Sequence, residues 1–313
     1  MKNKKLKLPD IAQPLIVLAI LFVLLSLFSP NFLTVNNLMN ILRQVSVNAM
    51  IAAGLTLVIL TGGIDLSVGS ILAFSGALMA LMLKLNLPLP LALICGFLVG
   101  LFFGLVNGVL VTKAGVQPFI GTLVIMMFLR GATLVLTNGK PISIPAASTS
   151  KVFAFLGRGS VLGIPVPILG TLIVYGILGF VLNETRFGRH LYAVGGNEKA
   201  AKLSGVNVSK VKTLAYIISG VTAFLASVIV TSRLSSAQPT AGEGYEMDAI
   251  AAVVLGGTSM AGGKGKILGT LIGVLIIGIL NNALNLLNVQ SYYQQIAKAV
   301  IILIAVLLDR TRD

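Results

Sequence analysis

The sequence predicts an all-α membrane protein with about ten transmembrane helices, Gly-rich breaks that allow half-helices, and both termini on the inner side. Three observations predict it. Of 313 residues, 56% are hydrophobic and only 10% charged, with a mean hydropathy of +1.00, far above an ordinary soluble domain. Apolar runs of about 20 residues, enough to cross a hydrocarbon core, recur along the whole chain. Lys and Arg fall in alternate connecting segments, as the positive-inside bias requires.

Taken in order, the apolar runs cover 11–28, 40–60, 66–83, 89–111, 118–136, 166–182, 213–231, 247–259, 267–287 and 293–308. The first follows a basic start, MKNKKLKLPD, and has no small-residue cleavage site after it, so it reads as a retained helix rather than a leader. With the N-terminus inside, the basic residues of the first ten positions, Lys113, and those of 183–212, of 264–266 and of the C-terminus share one side. The other side holds only Lys84, Lys140, Lys151, Arg158 and Arg233. Arg43, Arg130 and Lys298 fall within runs and are expected near run ends, where long stems reach the interface.

Two segments are too polar to span. Residues 138–165 form a Pro- and Gly-punctuated outer loop with room for a short helix. Residues 183–212 (NETRFGRHLYAVGGNEKAAKLSGVNVSKVK) form an inner segment with a short helix over 198–203 between glycine breaks. The chain otherwise reads as one transmembrane domain, 1–313.

TGGIDLSVGS (61–70) interrupts the second and third runs and carries Asp65, one of nine acidic residues. A second break, VLGGTSMAGGKGK (254–266), follows the eighth run, which is too short to cross alone. Gly-interrupted hydrophobic segments in the two halves of a transporter point to its binding region, and irregular backbone at membrane depth persists only when buried or lining a wet cavity. GGID echoes GGTS, and GLVNG (104–108) echoes GILNN (278–282), a weak sign of an inverted repeat. Asp65 reads as an N-cap of the third helix or as a pathway or gate carboxylate, and the two readings are compatible. Gln44, Asn48, Asn107, Gln117, Asn281, Asn282 and Asn285 are uncharged polar groups within or beside runs. Each alone suits interhelical bonding; as a set they suit an uncharged polar pathway for a polyol better than an ion relay.

Several classes are excluded. The net charge of +14 is explained by inner loops, and no basic stretch alternates with aromatics, so no nucleic acid is expected. A single cysteine, Cys95, and a single histidine, His190, leave no disulfide, no metal cluster and no triad. GTSMAGG (257–263) lacks the lysine of a phosphate-binding loop, so the chain does not itself hydrolyse ATP. No enzyme activity, metal or cofactor is expected.

TGGIDLSVGS, FGRHLYAVGGNEKAAKLSGVNV and SSAQPTAGEGYEMDAIAAVVLGGTSMAGGKGKILGTLIGVLIIG, in that order, resemble the permease subunit of bacterial ribose-type ABC importers. The likeness covers essentially the whole chain, through NNALNLLNVQSYYQ and LLDR. It implies a single permease domain in the cytoplasmic membrane, a homodimer around a central path for a monosaccharide, a separate two-cassette ATPase and an extracytoplasmic sugar-binding protein. It implies that 183–212 is the coupling element, through Gly188, Arg189, Gly195, Asn197, Glu198, Ala200, Ala201 and Gly205. The path or gate would draw on Asp65, Gln44, Asn48, Asn107, Asn281 and Asn282. Another sugar, a nucleoside or a signalling furanose remains open as substrate. An ion-driven carrier is disfavoured because Asp65 and Asp248 are the only membrane carboxylates read as able to bind a coupling ion.

Overall fold

The computed structural model describes residues 12–145, 148–290, 292–297 and 299–300. Of the tenth expected span, Lys298 and residues 301–308 lie outside these, as do the basic residues at both termini. The helices are α1 (Ala12–Phe28), α2 (Val35–Leu60), α3 (Val68–Lys84), α4 (Leu89–Thr112), α5 (Pro118–Thr137), α6 (Ser148–Arg158), α7 (Val166–Glu184), α8 (Arg186–Gly196), α9 (Glu198–Leu203), α10 (Val208–Leu234), α11 (Tyr245–Leu255) and α12 (Ile267–Leu286). Four two-residue strands accompany them: β1 (Ile142–Ser143), β2 (Ser160–Val161), β3 (Ile164–Pro165) and β4 (Ser236–Ala237).

Six helices, α2, α4, α5, α7, α10 and α12, are long and apolar enough to cross a membrane; α1 and α3 contain shorter apolar helices. The protein is therefore an all-α membrane protein. Proline lies in the first turn of α4, α5 and α7, where its missing N–H and fixed φ cost nothing. Asn138 (φ 51°) and Ser235 (φ 49°) end α5 and α10 in the left-handed region.

The helices sort into two shells. In α4, α5 and α7 under a third of the apolar stretch is buried, against 78% in α2 and 67% in α10 and α12. The outer three expose Leu98, Phe102, Val124, Phe128, Ile173 and Phe180, hydrocarbon that suits lipid. Against this shell α2 and α10 form the centre.

The contact of α4 with α10 is built on glycine at every fourth position. Gly96, Gly100, Gly104 and Gly108 make one stripe on α4, and a Cβ on Gly104 would fall 2.6 Å from the Tyr216 carbonyl. On α10, Gly220 lies against the Gly100 carbonyl. Small residues spaced this way let two backbones touch, which is how helices gain packing energy without a hydrophobic drive.

Each end of the molecule is tied by its own loops. At one end β1 pairs antiparallel with β4, the Ile144 N–H donates to the Ser235 carbonyl at 3.0 Å, and Gly157 of α6 abuts Ser232 and Arg233. At the other, the Gly263 N–H donates to the Leu60 carbonyl at 2.9 Å and Tyr192 Oη donates to the Gly265 carbonyl at 2.9 Å. The segments expected outside (138–165, 235–237) thus share one end, and those expected inside (60–63, 185–196, 257–266) share the other.

Candidate translocation and coupling site

After Leu60 the chain does not reverse at the surface. It climbs back so that α3 begins opposite Ser219, eleven residues into α10 and about 16 Å along it. From the opposite end, 238–244 descends until Gly242 meets Gly69: a Cβ on Gly242 would lie 2.6 Å from the Gly69 carbonyl. The starts of α3 and α11 therefore meet inside the bundle, and both glycines are buried.

Asp65 sits in the first of these breaks, fully buried. Its Oδ1 accepts from the Ser67 N–H at 3.0 Å and from Ser67 Oγ at 2.6 Å. Its Oδ2 accepts from Ser219 Oγ of α10 at 2.8 Å. Asn107 of α4 donates through Nδ2 to Ser67 Oγ at 2.8 Å and reaches Asp65 Oδ1 at 3.5 Å. Tyr216 Oη donates to the Ile64 carbonyl at 3.1 Å. This corrects the N-cap expectation: Ser67 holds the cap position of α3, its side chain makes no capping bond, and the carboxylate closes a turn two residues earlier. Asp65 is a knot joining the break to α4 and α10. Every strong donor around it is a hydroxyl or amide, the short-range satisfaction a buried carboxylate needs.

Arg130 is a second correction. It lies in the middle of α5, not at an end. Half-buried, its Nη1 donates to the Ala241 carbonyl at 2.6 Å and to that of Pro239 at 3.4 Å, with the carboxylates Glu243 and Glu246 near enough to act on it electrostatically. Arg130 thus latches the descending loop, whose carbonyls have no helix to bond. Glu246, buried with Asp248 in the first turn of α11, was not among the membrane carboxylates expected. The α-helical turn that carries both was the legible signal, because acids favour a helix start.

The expected path residues divide. Asn107 belongs to the Asp65 knot. Asn282 is in a reciprocal amide pair with Asn37 of α2, at 2.8 and 3.1 Å. Asn281 is buried with its Oδ1 unpartnered. Gln44 is exposed and Asn48 half-buried on α2, away from Asn107. Among the described residues, only Asn107 of this set shares hydrogen bonds with Asp65 and Ser67.

The coupling candidates stay together at the end that carries Leu60. Thr185 caps α8, accepting the Gly188 N–H at 3.2 Å, and Gly188 packs against the Val181 and Leu182 carbonyls. Arg189 is exposed and reaches the Glu184 carbonyl at 3.4 Å. Gly195 does not break a helix, contrary to expectation; it lies in the last turn of α8, pressed on the Leu60 carbonyl and the Gly263 N–H. Asn197 caps α9 by accepting the Ala200 N–H at 3.0 Å. Glu198 accepts a salt bridge from Lys212 at 2.6 Å. Ala200 is exposed, Ala201 buried, and Gly205 (φ 83°) makes the real break after α9. A cavity of about 510 Å³ opens between α9, the start of α10 and Val111 and Thr112 of α4. Leu203 stands beside it, 90% exposed. Among the described residues no group of His, Cys, Asp and Glu is placed to hold a metal.

Comparison with known proteins gives this arrangement a family. Residues 37–306 match the family model described as the branched-chain amino acid transport system / permease component. The ribose import permease protein of Haemophilus influenzae is 56% identical over 294 residues, 94% of this chain and 91% of that protein. That of Escherichia coli K12 is 54% identical over 301 residues, 96% and 94% of the two chains. That of Bacillus subtilis is 54% identical over 300 residues, 96% and 92% of the two. No solved structure matches. With its length so fully covered, the chain belongs to the permease-component family of ribose-type importers.

Proposed function

We propose that this chain is the membrane-spanning subunit of a binding-protein-dependent ABC importer and forms the translocation path for ribose. The observation that carries this reading is the near-full-length identity above one half with proteins named ribose import permeases. Two copies would surround the path in the lipid of the cytoplasmic membrane, with about ten spans each and both termini inside. The sharing of one molecular end by 60–63, 185–196 and 257–266 supports that orientation. A cytoplasmic two-cassette ATPase would seat on 183–212, and an extracytoplasmic sugar-binding protein on the opposite end.

The coupling step would be mechanical. Movement of α8 and α9 by the ATPase reaches the Leu60 end of α2 and the 257–266 loop without an intermediary, because Gly195 touches both. Rigid-body rearrangement of packed helices then opens one end and closes the other. Another sugar, a nucleoside or a signalling furanose is the next reading.

Uptake of labelled ribose into proteoliposomes, with and without candidate ATPase and binding protein and with ATP on the cassette side, tests the proposal. Uptake that needs both partners and ATP is expected. Uptake by the chain alone that collapses with an ionophore would make it an ion-driven carrier.

A further inference from the structure

The exposed surface of α2 differs from that of every peripheral helix. Beyond its first residue, Val35, the exposed positions of α2 are Asn36, Asn40 and Gln44, and the next residue at the same spacing, Asn48, is half-buried. A spacing of four places all of these carboxamides on one helix face. The exposed large side chains of α4, α5 and α7 are Leu, Ile, Val, Met and Phe, and their exposed polar residues, Asn183 and Glu184, are confined to the last two positions of α7. Ile51, Leu55 and Val58, which stand on the same face of α2 in the following turns, are fully buried. The amide ladder rises about 18 Å, a little over half of the hydrocarbon thickness, and stops where the chain closes.

From this we infer that the α2 face carrying Asn36, Asn40, Gln44 and Asn48 lines a water-filled half-channel that admits a neutral polyhydroxy solute and is shut beyond Asn48. Lipid cannot be the neighbour, since amide groups in hydrocarbon without partners cost several kcal/mol each. A carboxamide offers two donors and an acceptor and carries no charge, which complements hydroxyls rather than an ion. A ladder that begins at one end and stops at the point of closure has the form of a blind passage, not of a contact running the length of the helix. The solute assignment rests on the sugar-permease reading; the water-filled passage does not.

The test uses the full importer in proteoliposomes, with Cys95→Ser as the parent and single Asn40→Cys, Gln44→Cys, Asn48→Cys and lipid-facing Ile173→Cys variants. ATP-driven ribose uptake by the parent checks the sugar-permease reading on its own. A membrane-impermeant methanethiosulfonate, added on the binding-protein side without ATP, then reports water access. The expected result is modification at 40, 44 and 48, not at 173, with at least tenfold loss of uptake after modification of the Gln44→Cys variant and slower modification when ribose is present. No modification at the three α2 positions in folded protein that reacts fully after denaturation overturns the passage. Disulfide cross-linking of those cysteines between copies, in place of modification, overturns it too and makes the face a subunit contact. Modification that leaves uptake unchanged removes it from the solute's route.

Discussion

Gly195 of α8 is pressed against the carbonyl oxygen of Leu60, the last residue of α2, so closely that no side chain fits between them. The Gly263 N–H donates to the same carbonyl. The segment expected to meet the ATPase and the end of the central helix are therefore one mechanical unit.

Gly195→Val should force α8 off the Leu60 carbonyl while leaving Asn197, Glu198 and the cavity beside α9 in place. The expected outcome is an importer that assembles and hydrolyses ATP but moves at least tenfold less sugar per ATP. Hydrolysis and uptake measured on the same proteoliposomes check it; an unchanged ratio would remove Gly195 from coupling.

Asp65→Asn keeps one accepting oxygen and puts an amide nitrogen, which cannot accept, in the place of the oxygen that accepts from Ser219. A buried hydroxyl is then left facing a donor, a loss of about 1–3 kcal/mol. Lower thermal stability and slower uptake are expected, with binding of the partner ATPase retained. Melting of the purified protein and co-purification read the two effects separately. Ser219→Ala should reproduce a smaller part of the stability loss.

The α4–α10 stripe predicts a contrast among glycines. Gly104→Leu places a side chain into the Tyr216 and Ile217 backbone and should destabilise by several kcal/mol, since overpacking there cannot relax without parting the helices. Gly176→Leu, where a Cβ meets nothing within 4 Å, should be near neutral. Expression level and melting temperature of the two variants decide it.

Arg130→Met should free 238–244, whose Pro239 and Ala241 carbonyls lose their donor. Charge-assisted bonds of this kind are worth about 1.5–3 kcal/mol. Faster hydrogen exchange confined to 238–244 and the start of α11 is expected; protection equal to the parent's would show that the loop needs no latch.

Much of this was legible in the residues, and the misses have common causes. The long apolar runs place the six spanning helices to within about five residues at each end, because length and hydropathy alone decide whether a segment spans. By contrast, α8 lies in a polar segment and was not read as a helix. The 198–203 helix was read from the glycines on either side of it; Gly205 does end it, but its start is set by the Asn197 cap. What escaped depended on partners distant in sequence. Asp65 reads as a cap because Asp before an apolar run usually is one; only Ser219, over 150 residues away, makes it a knot. Gly195 and Gly196 read as a break because an isolated glycine pair weakens a helix, yet here close packing on Leu60 needs the missing side chain. Arg130 reads as a snorkelling residue because nothing in α5 announces a loop that dips to meet it. The polar set reads as one path because composition cannot say which faces coincide; the four-residue spacing of Asn36, Asn40, Gln44 and Asn48 was present in the sequence and is the signal that separates them.

The meeting of α3 and α11 inside the bundle also bears on how the chain is made. At 11 residues, α11 reaches about 16 Å, half of a bilayer core, so a translocon cannot release it into lipid as a finished helix. It packs on α2, made before it, and on α12, synthesised after it, where Gly256 lies against Gly269 and Ala252 against Gly273. A nascent chain that has emerged only as far as Lys266 holds a short helix with its α12 side still bare, and that side is covered only once α12 follows.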